Sequence, residues 1–267
     1  DWCVSRQRVW GVPLPLFVNK KNGEPLRDIN IINRIADIYE KEGSDTWFTE
    51  DAQRFLGDDY LKDDYDQVKD IVEVWFDSGS THAFCLEKRE DLKWPASMYL
   101  EGSDQHRGWF QAALLTSMGT RGRAPFKEVL THGFILDSDG NAMSKSKGNV
   151  VSPQKLISKM GADNLRLWIS SEDYRNDITT SDESLKRIAD TYRLIRNTLR
   201  FQISNLFDFD ETENAVELTE LHPLDKWALH KTAELVNLVT AAYEAYEFHK
   251  VYQLCNKFCS VTLSATY

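Results

Sequence analysis

The sequence predicts an α/β half, built of parallel strands with covering helices, followed by an all-α helical bundle. Three observations predict it. Between residues 97 and 131 short apolar runs bracket a helical stretch, the pattern of a strand–helix–strand unit. Polar clusters sit at the carboxyl ends of both runs, where ligands lie in open parallel sheets. From Thr180 onward apolar residues recur at three- and four-residue steps, as on packed helices.

The elements follow in order. Residues 1–17 read as an extended segment ending in Gly11-Val12-Pro13-Leu14-Pro15, whose prolines forbid helix. Lys20-Lys21-Asn22-Gly23-Glu24 is a turn, Ile29 to Tyr39 has helical spacing, and the acidic run Gly57 to Asp66 reads as a solvated loop. Ser97-Met98-Tyr99-Leu100 is a short strand, Glu101 to Gln105 a loop at its carboxyl end, His106 to Met118 a helix, and Glu128 to Thr131 the next strand. A turn at Asp137-Ser138-Asp139-Gly140 precedes a polar loop, Met143 to Asn149. Ser152-Pro153 starts a helix that Gly161 stops, and a second runs from Asp163 to Ser170. Thr180 and Glu183 fit a capping box, before the stripe Leu185, Ile188, Tyr192, Ile195 and Leu199. An acidic linker covers Asp208 to Asn214. Pro223 opens another helix, and Phe248, Val251, Cys255, Phe258 and Thr262 mark a third. These stripes read as bundle core.

Composition narrows the function. The 267 residues are 42% hydrophobic and 28% charged, an ordinary globular mixture with room for more than one domain. No apolar run approaches the roughly 20 residues that span a bilayer, and no signal segment opens the chain. The chain opens on Asp1-Trp2-Cys3 and closes inside a helical pattern, so a piece of a longer protein is expected. A net charge of −10 argues against a wholesale nucleic-acid-coating surface and leaves room for a local basic stripe. Cys3, Cys85, Cys255 and Cys259 are too scattered for a disulfide scaffold, and the pair four apart has no partners to complete a metal site. No metal site is expected; the thiols read as free in a reducing cytoplasm.

Four clusters carry chemistry, and each has a bland alternative. Met143-Ser144-Lys145-Ser146-Lys147-Gly148-Asn149 offers hydroxyls, backbone N–H groups and compact positive charge to a polyphosphate, though solvated Ser/Lys loops are common and P-loop spacing is missing. In Glu101-Gly102-Ser103-Asp104-Gln105-His106-Arg107-Gly108-Trp109, carboxylates can take an ammonium or ribose hydroxyls and Trp109 can wall an apolar pocket; alternatively Asp104 is an N-cap. Val74 to Ser80 is either a site or a core Trp75–Phe76 pair beside a capped turn. His132-Gly133 at a strand end contacts a base or phosphate, or is structural. Arg193, Arg196 and Arg200, with Lys186, share one helical face, either solvated or set against RNA phosphates.

In this order the segments resemble the class I aminoacyl-tRNA synthetases. Met143-Ser144-Lys145-Ser146 matches the Lys-Met-Ser-Lys-Ser signature from its second residue on. Val4-Ser5-Arg6-Gln7-Arg8-Val9-Trp10-Gly11-Val12-Pro13, Val74 to Gly79, Tyr99 to Phe110, Gly161-Ala162-Asp163 with Leu165-Arg166-Leu167-Trp168, and Tyr192-Arg193 with Ile195-Arg196-Asn197-Thr198 resemble the isoleucyl branch. The resemblance implies a Rossmann-type catalytic half. It divides the chain into a connective segment from the editing insertion (1–96), the second half of the catalytic domain (97–179) and the start of an anticodon-binding bundle (180–267). It implies isoleucine, ATP with Mg2+ and tRNA(Ile) as substrates, no membrane partner, a monomer and a cytoplasmic setting. Glu101, Gly102, Asp104 and Gln105 would meet isoleucyl-adenylate, and Trp75 and Trp109 would wall its side-chain pocket. His132 and Gly133 would lie near adenine. Met143, Ser144, Lys145 and Ser146 would hold ATP, with Lys145 the catalytic cation. Arg193, Arg196 and Arg200 would face tRNA.

Two departures qualify the resemblance. Ala142 stands where the signature has its first lysine, leaving the phosphates to Lys145 alone or to Lys145 with Lys147. The His-Ile-Gly-His signature of the first catalytic half does not occur, so this piece by itself is expected not to activate isoleucine. The valyl branch is the nearest rival reading. A non-catalytic, synthetase-derived RNA-binding module is a rival of another class.

Overall fold

The computed structural model describes residues 2–267, and Asp1 lies outside the described residues. The chain divides into two compact units, residues 1–130 and 131–267.

In the first unit, β1 (Ser5–Arg6) pairs antiparallel with β4 (Ile71–Val72), and β2 (Phe17–Asn19) with β3 (Tyr65–Gln67). Between them lie α1 (Ile29–Glu42), α2 (Thr46–Thr49) and α3 (Ala52–Leu56). Helix α1 forms because Asp28 caps it, accepting from the Asn30 amide, and because its apolar stripe finds a core. That core is Phe17, Ile31, Ile35, Trp47, Phe55 and Leu56, with the Trp47 indole N–H satisfied by the Val68 carbonyl at 2.7 Å. The expected loop over 57–66 is in part regular. Lys62–Asp64 is a 3-10 turn, and Tyr65 enters β3, packing edge-on against Tyr60 at 5.6 Å.

Residues Val74–Gly79 form helix α4, where a polar turn was expected. Its start is supplied by the buried carboxylate of Glu73, which accepts from the Trp75 amide at 3.0 Å. A π-helical turn follows at His82–Leu86. Strand β5 (Ala96–Gly102) runs past the expected end and absorbs Glu101 and Gly102. A 3-10 turn, Ser103–Arg107, intervenes before α5 (Trp109–Arg121), so this helix begins three residues after His106. Asp104 therefore caps neither element. Strand β6 (Phe126–His132) pairs with β5, and the Ala96 amide bonds to the Pro125 carbonyl, so both strands start at one end and run parallel. Tyr99, Phe110 and Ala113 are the buried centre of this βαβ unit.

In the second unit, β7 (Ile135–Leu136) pairs parallel with β8 (Ile178–Thr179) across α6 (Pro153–Met160) and α7 (Ala162–Ser171). Ser152 occupies the N-cap of α6, but its hydroxyl bonds Gln154 at 3.1 Å instead of a helix amide. The bundle comprises α8 (Asp182–Ser204), the short α9 (Glu211–Asn214) inside the expected linker, α10 (Pro223–Glu244) and α11 (Phe248–Lys257), continued by a π-helical stretch, Phe258–Thr266. The capping box of α8 is Ser181 with Ser184, one residue later than the expected Thr180 and Glu183; Thr180 is buried and bonds back to Leu136. Trp168, Leu185 and Ile188 form the core joining α7 to α8.

Candidate functional site

The junction between β5 and α5 is assembled by aromatic packing and one amide side chain. Trp109 opens α5 and lies flat on Tyr99 of β5, ring centroids 4.2 Å apart and planes 5° from parallel. Its indole N–H donates to the Ser78 carbonyl at 2.9 Å, tying α5 to α4. The two helices meet backbone to backbone, for a Cβ on Gly79 would lie 2.8 Å from the Ala112 carbonyl carbon. Gln105 is already committed. Its carbonyl oxygen accepts from the Trp109 amide at 2.9 Å, capping α5, and its amide donates to Asp104 at 2.9 Å.

Glu101 is exposed as the penultimate residue of β5, and among the described residues no hydrogen bond or ion pair holds its carboxylate. Gly102 is buried beside it. Trp75 lines a cavity of about 220 Å³ with Trp2, Arg107, Gly108, Gln111, Ala112 and Leu115. Trp109 is not in that lining. The expected pair of tryptophan walls is thus split, one on a cavity and the other stacked on a strand. Beneath Trp75, Glu73 is 5% exposed and lies 3.8 Å from Arg6. Burial, and then the neighbouring Glu73, push the Asp77 carboxyl above its usual range.

The second unit holds the other predicted residues. His132 Nδ1 lies 2.8 Å from the Gly133 carbonyl. A carbonyl only accepts, so in this contact Nδ1 is the donor. Gly133 bonds Tyr174 through its amide, and a Cβ there would lie 2.4 Å from the Asn176 carbonyl oxygen. Only glycine fits that crossing. The Phe134 amide then bonds Asp177 at 2.7 Å, setting the register of β7 on β8.

Beyond β7 the chain folds back, with Ala142 bridged to Leu136. The carboxylate of Asp137 accepts from the amides of Asp139 (3.0 Å) and Asn141 (2.8 Å) and from the side chain of Asn149 (2.7 Å). The Asn149 bond, then the Asn141 amide, hold its pKa below the usual value. Asn149 also accepts from the Ser144 amide at 2.9 Å, while the Ser144 hydroxyl accepts from the Lys147 amide at 3.2 Å. Met143 is half-buried, and Ser144 and Ser146 lie with hydroxyls 3.2 Å apart. Lys145 and Lys147 are exposed, and among the described residues neither ammonium forms an ion pair. The Asp-Ser-Asp-Gly turn was visible in the sequence; that Asp137 reaches Asn149, twelve residues on, was not.

On α8, Arg193 pairs with Asp190 at 3.0 Å, both largely solvated. Arg196 and Arg200 edge a groove of about 370 Å³ floored by Ile195, Leu199 and Ile203. Among the described residues no cluster of histidine, cysteine and carboxylate side chains suits a metal, and no helix is long and apolar enough to cross a membrane.

Comparison with known proteins gives this geometry its context. The family model for tRNA synthetases class I (I, L, M and V) matches residues 1–181, and that for the anticodon-binding domain of tRNA ligase matches residues 225–267. The chain is 54% identical over its whole length to the isoleucine–tRNA ligase of Pelagibacter ubique, covering 30% of that protein. It is 50% identical to those of Coxiella burnetii and Caldanaerobacter subterraneus, covering 28% and 29% of them. It spans about three-tenths of the length of these relatives. Among solved structures, a LeuRS–tRNA–LeuAMS ternary complex from Agrobacterium radiobacter aligns with a TM-score of 0.66 at 20% identity, over 95% of this chain and 34% of that one. Mycobacterium tuberculosis methionyl-tRNA synthetase in complex with methionyl-adenylate aligns with a TM-score of 0.57 at 18% identity, over 91% of this chain and 55% of that one. The fold is the α/β catalytic half and helical bundle that the sequence predicts.

Proposed function

We infer that this chain, which belongs to the class I tRNA synthetases (I, L, M and V), is part of an isoleucine–tRNA ligase acting on isoleucine, Mg2+-bound ATP and tRNA(Ile) in the cytoplasm. The observation that carries the reading is the match to isoleucine–tRNA ligases along the entire chain. In this reading residues 1–96 lead from the editing insertion into the catalytic domain, 97–179 complete that domain, and 180–267 begin the anticodon-binding bundle.

The isoleucine carboxylate attacks the α-phosphorus of ATP, pyrophosphate leaves, and the acyl group then passes to the terminal ribose of tRNA. The attacking carboxylate is already a nucleophile, so the first step needs positioning and charge neutralisation, not a general base. Glu101, exposed and unpaired at the end of β5, takes the substrate ammonium. Gly102 lets the ribose approach the backbone, and Asp104 accepts from its hydroxyls. Gln105, which holds the start of α5 and the Asp104 carboxylate, sets the acyl side through that geometry. Trp75 bounds the side-chain pocket, and Trp109, stacked on Tyr99, braces the strand end beside it. His132 and Gly133 receive the adenine, and the Met143–Ser146 loop takes the phosphates on Lys145. Arg193, Arg196 and Arg200 lie toward tRNA phosphates.

Pyrophosphate exchange on the intact ligase tests this reading. Isoleucine should outrun valine in kcat/KM by roughly 10- to 200-fold, the discrimination one methylene supports in an apolar pocket. A preference for valine, or no exchange with either, would overturn it.

A further inference from the structure

We propose that Asp137 and Asn149 act as a latch, positioning residues that hold the Met143–Ser146 loop in the shape that presents Lys145 to a polyphosphate. The inference rests on reading this loop as the one that takes the ATP phosphates.

Asn149 spends its whole amide on the task. Its nitrogen donates to Asp137 at 2.7 Å and to the Ala142 carbonyl at 3.3 Å, and its oxygen accepts from the Ser144 amide at 2.9 Å. The orientation is set by charge, because a flipped amide would turn oxygen toward the Asp137 carboxylate. The second Asp137 oxygen gathers the amides of Asp139 and Asn141, so one carboxylate grips the turn and the far end of the loop together. Within the ring thus closed, the Ser144 hydroxyl accepts from the Lys147 amide, and the Gly148 amide bonds the Lys145 carbonyl at 3.2 Å.

Every one of these groups is consumed inside the loop. The Lys145 ammonium is left outward and unpaired among the described residues. A loop fixed beforehand spares nucleotide binding the ordering of its backbone, and fixes where the charge arrives. With Ala142 in place of a second cation, the position of the remaining one matters more.

The test uses the intact ligase, with pyrophosphate exchange and amide hydrogen exchange read side by side. Asn149→Ala and Asn149→Asp should each lower kcat/KM for ATP by about 10- to 100-fold, with the KM for isoleucine unchanged. The exchanged pair, Asp137→Asn with Asn149→Asp, restores a donor facing a carboxylate and should recover most of what Asn149→Asp alone loses. A Ser144 amide protected in the wild type should exchange freely in Asn149→Ala. Three results would overturn the latch: wild-type ATP kinetics in both single variants, an isoleucine KM rising in step with the ATP effect, or an exchanged pair no better than Asn149→Asp. Should the wild type show no pyrophosphate exchange at all, the ligase reading falls instead, and protection of the Ser144 amide still judges the latch.

Discussion

The two clusters at strand ends in this chain are built of opposite materials. At the end of β5 the frame is apolar: Trp109 stacked on Tyr99, Gly79 against Ala112, Phe110 and Ala113 buried beneath. Its polar groups, Gln105 and Glu73, are spent on helix starts. Beyond β7 there is almost no apolar support, and a carboxylate and an amide shape the loop by hydrogen bonds alone. The first arrangement suits shape recognition of a small apolar group, where tenths of an ångström decide. The second suits a highly charged ligand, met by a cation on a loop already shaped. Packing resists deformation steeply; a half-buried polar ring opens at lower cost.

The largest effect should come from chemistry in the polar loop. In the intact ligase Lys145→Ala should cut adenylate formation by two to three orders of magnitude, about 3–4 kcal/mol, as the loss of one preorganised charge contact does. Lys147→Ala should change it only a few-fold, and the reverse ranking would break the contrast between the two lysines. Neither substitution should move the melting temperature.

Trp109→Ala should do the opposite, destabilising the βαβ unit by about 3 kcal/mol, because it opens a void over Tyr99 and removes the indole bond to the Ser78 carbonyl. Thermal unfolding checks it; an unchanged melting temperature would mean the stacking is not what holds the junction.

The smallest effect is a difference in acid response. Asp137 and Asp173 have carboxyls held below their usual range, Asp173 at about 2 through its bonds to Arg175. A depressed carboxylate stabilises the fold above its unfolded value, and that contribution drains away as pH falls from about 3.8 toward about 2. Asp77 is shifted the other way, so its folded state gains protons more readily and local stability rises as pH drops through the raised value. Amide protection, taken relative to the intrinsic exchange rate at each pH, should therefore fall around Asp137 before it falls in α4 as pH is lowered. Simultaneous loosening would erase the distinction.

What could be read in advance follows from these materials. Helices α1, α8 and α11 announced themselves through apolar spacing, since one wet and one dry face leaves a periodic trace. Helix α4 did not. Its text is aromatic and ends in glycine, and its start is made by a buried glutamate, which the usual capping residues do not suggest. The Ser181 box was placed one residue early because Thr180 and Glu183 also satisfy the spacing, and only burial of Thr180 decides between them. At the sites, the motifs marked two strand-end loops. They could not reveal that Gln105 is occupied with a helix cap, or that Trp109 faces a tyrosine and not the cavity beside Trp75, because both depend on partners brought close by folding.

Gly133 has a bearing on how the chain would tolerate variation. Its backbone rests so closely on residues 176 and 177 that the smallest side chain collides with main-chain atoms, which cannot rotate aside as a lysine tip would. In a saturation library that position should return glycine almost alone, whatever activity is screened, whereas positions 145 and 147 should accept many residues for expression and few for function. A map of tolerance scored twice, once for soluble yield and once for turnover, would thus separate the architecture of this chain from its chemistry without any further structure.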